Sequence, residues 1–106
     1  MYNTETIYVI EVMEKLELDE RGFPDFGATR CPGFYHSMDE AEAAVTENNC
    51  DIFECSFRYA VIHEVRPGVY PHYEQRKFYH YDTETDRYTP IEEPEFLSHY
   101  GICIIG

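Results

Sequence analysis

The chain has 106 residues, of which 43% are hydrophobic and 16% aromatic, which is enough apolar material for one packed domain spanning residues 1–106. Twenty-one acidic residues against eight Lys and Arg give a formal charge of −13, which opposes direct binding to nucleic acid or to an anionic membrane. No run approaches the roughly 18 apolar residues of a membrane-spanning helix. The N-terminal residues lack the features of a signal peptide, so we expect a cytoplasmic protein.

The first predicted element is a central strand over residues 6–18, because apolar side chains fall on both faces at its start. A helix over residues 11–20 is the competing interpretation, since glutamates recur there every three residues. Glycine and proline predict a loop over residues 20–33, followed by a short strand at 33–37.

A helix is predicted over residues 37–49, because Ser37 and Glu40 form a capping box ahead of a stripe of small apolar residues. Asn48 and Asn49 are the predicted C-caps. The small side chains of the stripe predict that this helix lies close against a sheet.

The sequence of the second half of the chain predicts a central strand at 57–66 and a turn at 67–71. A hairpin then follows, with strands at about 75–82 and 87–91 and its turn at 83–86. Pro90 places the return strand at an edge of the sheet. Residues 91–96 are a predicted connector and 100–105 a short apolar strand or buried tail. The predicted fold is α+β, with five or six mainly antiparallel strands and one helix on one face.

The chain carries no catalytic signature, so we expect a protein that is not an enzyme and needs no cofactor. No serine lies in a nucleophile motif, and no glycine pattern matches a phosphate loop. A small ribonuclease using His, Tyr and Arg is the enzymatic alternative. The four cysteines are predicted to be free thiols, and a metal site built from Cys50, Cys55 and a histidine is the weaker alternative.

Acidic and tyrosine side chains form the first candidate binding surface. In an extended strand, alternate carboxylates lie about 6.6–6.8 Å apart on one side, close to two base-pair rises of DNA. Such a row can occupy the basic groove of a nucleic-acid enzyme. The plainer explanations are that the acidic residues keep the protein soluble and that the tyrosines pack in the core of the sheet. The predicted partner-binding residues are Glu11, Glu17, Asp19, Tyr79, Tyr81, Asp82, Glu84 and Asp86.

The few cations form the second candidate site, because a guanidinium and an aromatic ring together bind a nucleotide. Arg58 and Arg66 are predicted to share one face of strand 57–66. Intramolecular salt bridges are the plainer explanation of these cations. The predicted ligand-binding residues are Arg30, Arg58, Tyr59, Arg66, Arg76 and Lys77.

The segments GFYHSMDEAEAAVTENNCDIFE, YAVIHEVRPGVYP and YTPIEEPEF, within residues 30–96, resemble small acidic proteins encoded by phages and prophages of Gram-positive gut bacteria. The resemblance implies a mobile-element origin and a stoichiometric inhibitor of a bacterial defence system. The predicted partner is a host defence protein bound by the acidic surface. The alternatives are an oligomer that sequesters a nucleotide signal and a housekeeping interaction module.

Overall fold

Five antiparallel strands form one sheet in the computed structural model, which describes residues 6–67 and 73–99, with side chains described for 6–67 and 76–97. The order across the sheet is β4-β1-β5-β6-β7, and β2 and β3 pair separately as a small second sheet. The elements in chain order are β1 (Ile7–Met13), β2 (Glu17–Leu18), β3 (Pro24–Asp25), β4 (Thr29–Tyr35), α1 (Met38–Thr46), β5 (Tyr59–Val65), β6 (Tyr73–Asp82) and β7 (Arg87–Ile91).

The predicted α+β class, the central positions of β1 and β5, and the edge position of the proline-containing β7 are confirmed. The helix predicted as an alternative for residues 11–20 is wrong. The first strand is also shorter than predicted. It ends at Met13. The backbone N–H groups of Glu14 and Lys15 then donate to the carbonyl oxygens of Ala28 and Phe26, which precede β4.

The predicted loop over residues 20–33 is wrong at its C-terminal end, where β4 begins at Thr29. This strand pairs with β1 on one side only and lies at the edge of the sheet. Most of its side chains are exposed, so it carries no apolar alternation that a sequence pattern would detect. Pro32 is tolerated because an edge strand leaves half of its N–H groups outside the ladder.

The helix α1 covers the middle of the predicted range. The Ser37 hydroxyl accepts a hydrogen bond from the Glu40 N–H at 3.4 Å, as the capping box predicts. The helix ends with Glu47 as its C-cap, and Asn48 follows in the left-handed conformation that commonly terminates helices.

The sheet buries side chains on both faces. The helix-side face packs β1, β5 and the hairpin tyrosines against α1, with Val45, Ile62, Tyr79 and Tyr88 as buried members. The opposite face buries a smaller cluster of Met13, Val61, Phe78 and Leu97. Burial on both faces explains the nearly continuous apolar runs of β1 and β5. Phe57 precedes β5 and packs on the helix side.

Glu42 ties α1 to β6. Its Oε2 accepts a hydrogen bond from the Tyr79 hydroxyl at 2.8 Å and from Lys77 Nζ at 3.1 Å. The Tyr79 hydroxyl is the main cause that lowers the pKa of the Glu42 carboxyl, with Lys77 adding to it. The charged carboxylate therefore stabilises the contact between helix and sheet.

Replacing Glu42 by glutamine is expected to lower the free energy of unfolding by about 1 kcal/mol near neutral pH. A carboxyl whose pKa is lowered in the folded state contributes stability above its unfolded pKa and loses it as the pH falls through the folded pKa. The difference between the wild type and Glu42→Gln should therefore be largest above about pH 5 and shrink toward about pH 3. Urea unfolding of both proteins across this range measures it, and a constant difference would contradict the account.

Candidate functional site

The segment from Asn48 to Cys55 connects α1 to β5 through a series of tight turns. Asn48, Cys50, Asp51, Glu54 and Cys55 all have positive φ angles, between 47° and 59°. Residues other than glycine adopt this conformation at a cost of about 1–2 kcal/mol each. Such a segment keeps its shape only where other contacts hold it.

The Asn48 side chain supplies several of these contacts. Its Oδ1 accepts a hydrogen bond from the Phe53 N–H at 3.0 Å, which closes the segment on itself. Its Nδ2 donates to Asp51 Oδ1 at 3.4 Å and to Asp86 Oδ1 at 3.3 Å. Asp86 lies in the β6–β7 turn, so Asn48 joins two segments that are 38 residues apart in sequence.

Aromatic packing joins the same two segments. The rings of Phe53 and Tyr81 stack with their centroids 3.6 Å apart and their planes within 8° of parallel. The Tyr81 hydroxyl donates to Asp86, so one tyrosine contacts both segments. Beside it, the buried Tyr88 hydroxyl donates to the Phe57 carbonyl at 2.5 Å. Burial, and secondarily the Asp51 carboxylate, raises the pKa of Tyr88.

These contacts gather carboxylates at one end of the sheet. We call this group the acidic junction. Asp51 and Asp86 meet at the Asn48 side chain, Asp82 and Glu84 belong to the end of β6 and the turn that carries Asp86, and Glu47 precedes Asn48 in the chain. Asp82 is half-buried and the other four are exposed. Arg87, which faces Asp82 across the hairpin, is the basic residue of the turn. The acidic junction thus presents excess negative charge on a surface fixed by Asn48 and Phe53.

A cavity of about 350 Å³ opens beside the acidic junction. Its wall combines a guanidinium, an imidazole, a carboxylate, aromatic rings and two hydroxyls. The lining residues are Phe53, Arg58, His80, Tyr81, Asp82, Thr83 and Thr89. Arg58 and His80 are exposed, and the His80 ring lies with its centroid 5.0 Å from that of Tyr59.

The predicted row of carboxylates is wrong in its geometry. Residues 83–86 form a turn, in which the Asp82 Oδ1 accepts from the Glu84 N–H at 2.9 Å and Asp86 has a φ of 58°. A turn does not hold its side chains at the spacing of an extended strand. Asp82, Glu84 and Asp86 do come together, but as a compact patch.

Three of the predicted partner-binding residues are buried and cannot contact a partner. Tyr79 and Tyr81 belong to the helix-side core, which agrees with the plainer explanation that the tyrosines pack in the sheet. Glu11 is 1% exposed and lies on the opposite face of the sheet. Its Oε1 is 3.0 Å from Nε2 of His63, which is also fully buried. A buried carboxylate of this kind is a structural feature of the core.

Glu17 and Asp19 are exposed, but they belong to the small β2–β3 hairpin and its turn. The Asp19 Oδ1 accepts from the N–H groups of Arg21 and Phe23 at 2.8 and 3.0 Å. This carboxylate therefore shapes its own turn.

The predicted cationic site does not converge. Arg30 faces Glu54 at 3.5 Å, Arg76 faces Glu93 at 2.7 Å, and Lys77 contacts Glu42. These are the intramolecular salt bridges that the plainer explanation named.

Other members of the cationic set are spread over the fold. Tyr59 is half-buried against the Met13 cluster, away from Arg66. Arg58 and Arg66 flank β5 outside its bounds, so the prediction that they share a strand face is wrong. Arg58 alone among the predicted ligand-binding residues lines the cavity described above.

Cys31, Cys50 and Cys55 are free thiols, as predicted, and Cys103 lies outside the described residues together with the predicted tail at 100–105. Most of the predicted turn at 67–71 also lies outside them. Within residues 6–67 and 73–99, no group of three or more His, Cys, Asp or Glu is placed to hold a metal ion. No helix in this part of the chain is long and apolar enough to cross a membrane.

Several site residues were not predicted from the sequence as binding residues. They are Glu47, Asn48, Asp51, Phe53, His80, Thr83 and Thr89. Asparagine is among the few residues that readily adopt positive φ, so the Asn48-Asn49 pair after a helix indicated the end of the helix. Nothing in the local pattern indicated that Asn48 would reach a turn 38 residues away.

No family model matches the chain, and no match was found among the curated proteins or the solved structures.

Proposed function

We propose that this protein is a non-catalytic binding protein whose acidic junction docks on a basic surface of a partner protein. The observation that carries the proposal is the Asn48 bridge, which holds carboxylates from two distant segments together. Scattered surface acids provide solubility without any such arrangement. A fixed patch of one sign gives electrostatic complementarity to a surface of the opposite sign.

A basic groove that normally binds nucleic acid is the partner surface that fits this charge, since it presents several Lys and Arg side chains together. That the partner belongs to a bacterial defence system is a prediction that the resemblance of residues 30–96 adds, as is the phage or prophage origin. A cytoplasmic location in the bacterial host belongs to the same proposal. Formation of a homo-oligomer and a housekeeping role stay open as alternatives.

Two variants with the same net charge test the proposal. Glu47→Gln with Glu84→Gln removes two exposed carboxylates of the acidic junction. Glu40→Gln with Glu92→Gln removes two exposed carboxylates elsewhere, and glutamine at position 40 preserves the capping box. A fluorescein-labelled decalysine peptide serves as the basic probe, with binding followed by anisotropy.

The junction variant should bind decalysine about two- to thirtyfold more weakly than the wild type, since exposed ion pairs contribute about 0.2–1 kcal/mol each. The control variant should lose much less, and the difference should shrink at high salt. Equal losses in the two variants would mean that only total charge matters and would refute the proposal.

A further inference from the structure

The cavity beside the acidic junction carries a positive charge that the surrounding structure leaves unneutralised. Among the side chains of residues 6–67 and 76–97, no carboxylate oxygen lies within 4.0 Å of the Arg58 guanidinium to form an ion pair. Four other cations in the same part of the chain, in contrast, have such a partner. They are Lys15, Arg30, Arg76 and Lys77. Arg21 and Arg87 also form no ion pair with a described carboxylate, but of these three arginines only Arg58 lines the cavity.

Glu14 is attracted to Arg58 but forms no ion pair with it. Glu14 is held by the Ala28 N–H, which is the main cause that lowers its pKa, and by the Ser56 hydroxyl, while attraction to Arg58 adds only the smallest contribution. The Glu14 oxygens are thus engaged elsewhere, at 3.0 Å from Ala28 N and 3.2 Å from Ser56 Oγ. The guanidinium keeps its donors available toward the cavity.

The other groups of the wall define the class of ligand. His80 is exposed and offers a ring nitrogen, and Thr83 adds a hydroxyl donor from the turn. Phe53 lines the same cavity and is held in place by its stack on Tyr81. The Asp82 carboxylate can accept from a sugar hydroxyl or an amino group. A volume of about 350 Å³ lies at the lower end of the range for small-molecule sites.

We propose that this cavity binds a small phosphate ester that carries a planar ring, the size of a nucleoside monophosphate. The Arg58 guanidinium holds the phosphate through paired N–H donors, which match the geometry of phosphate oxygens. The ring packs against Phe53. This site can be told apart from the docking surface, because the phosphate and ring contacts use Arg58 and Phe53, whereas docking uses the exposed carboxylates.

Calorimetric titration of the full chain with AMP, GMP, CMP and UMP tests the proposal. Inorganic phosphate and adenosine are titrated as controls, because each carries only one part of the proposed ligand. At least one nucleotide should bind with one site per chain and at least tenfold more tightly than inorganic phosphate or adenosine. No binding of any nucleotide at millimolar concentration would overturn the proposal. Equal affinity for the nucleotide and for either half would overturn it as well.

Two arginine variants then locate the site. Arg58→Gln should weaken nucleotide binding about tenfold to a hundredfold, because charge-assisted hydrogen bonds to the phosphate are lost. Arg87→Gln removes the same charge from the exposed first residue of β7 and should change the affinity less than about threefold. Equal losses would show a general charge effect and overturn the assignment. Binding of decalysine should be retained in Arg58→Gln, so failure of this site and failure of the docking surface are distinguishable.

Discussion

Replacing Glu11 by alanine is expected to lower the free energy of unfolding by about 3–5 kcal/mol. Glu11 and His63 are 1% and 0% exposed, and they contact each other across β1 and β5 with Oε1 and Nε2 3.0 Å apart. Removing the carboxylate takes away the hydrogen-bond partner that Glu11 provides to the buried His63 Nε2, and it leaves a cavity. Chemical unfolding followed by circular dichroism measures the loss.

Two further variants separate the effects of charge, hydrogen bond and volume. Glu11→Gln keeps an oxygen acceptor of similar size and should therefore cost clearly less than Glu11→Ala. Glu11→Leu combined with His63→Leu removes both polar partners and should be more stable than Glu11→Ala, since apolar replacement of a buried pair is often neutral or stabilising. A loss below about 1 kcal/mol in Glu11→Ala would contradict the burial of this pair.

Replacing Leu97 by alanine is expected to lower the free energy of unfolding by about 2–5 kcal/mol. Leu97 is fully buried in the cluster opposite the helix, together with Met13, Val61 and Phe78. Truncation removes apolar contacts and leaves a void between the 3₁₀ turn Glu95–His99 and the sheet. The prediction tests whether the sheet has a second core on the face away from α1.

Leu18 provides the matched control for Leu97, because the same substitution is made at a position that is 45% exposed. Leu18→Ala should cost less than about 1 kcal/mol, since its side chain in β2 already contacts solvent. Both variants are compared with the wild type by urea unfolding at one pH. Similar losses at the two positions would contradict a buried role for Leu97.

Much of the fold was predictable because local patterns and the final structure agree. The capping box at Ser37 placed the start of the helix, and apolar residues on both faces placed β1 and β5 in the centre of the sheet. The hairpin from β6 to β7 and the edge position of Pro90 followed from turn and proline signals. The edge strand β4 was only partly predicted, because its pairing depends on backbone hydrogen bonds with β1 and its exposed side chains carry no pattern.

The candidate site was far less predictable, because its contacts are non-local. Glu11 is predicted to bind a partner, but it is buried in β1 together with its neighbours Ile10 and Val12. Tyr81 is predicted to contact a partner, whereas in the fold it contacts Phe53 and Asp86. The net charge of −13 predicted an acidic binding surface. The bond from Asn48 to Asp86 determined where that surface lies.

The acidic junction and the Arg58 cavity lie side by side, with Asp82 belonging to both. Phe53 contributes to the framework of each, since its stack on Tyr81 fixes the 48–55 segment and its ring lines the cavity. Binding at one site is therefore expected to alter the surroundings of the other. Sequential titration with decalysine and a nucleotide would reveal such coupling as a change in affinity.

The most direct test of the central claim is a two-dimensional ¹H–¹⁵N NMR titration of the labelled protein with decalysine. Docking at the acidic junction predicts that the backbone shift changes concentrate in residues 47–55 and 82–87, and that they weaken as salt is raised. Shift changes spread over the exposed acids of the β2–β3 hairpin and the start of α1 to the same extent would contradict the account. The negative charge would then act as a diffuse field without a defined docking surface.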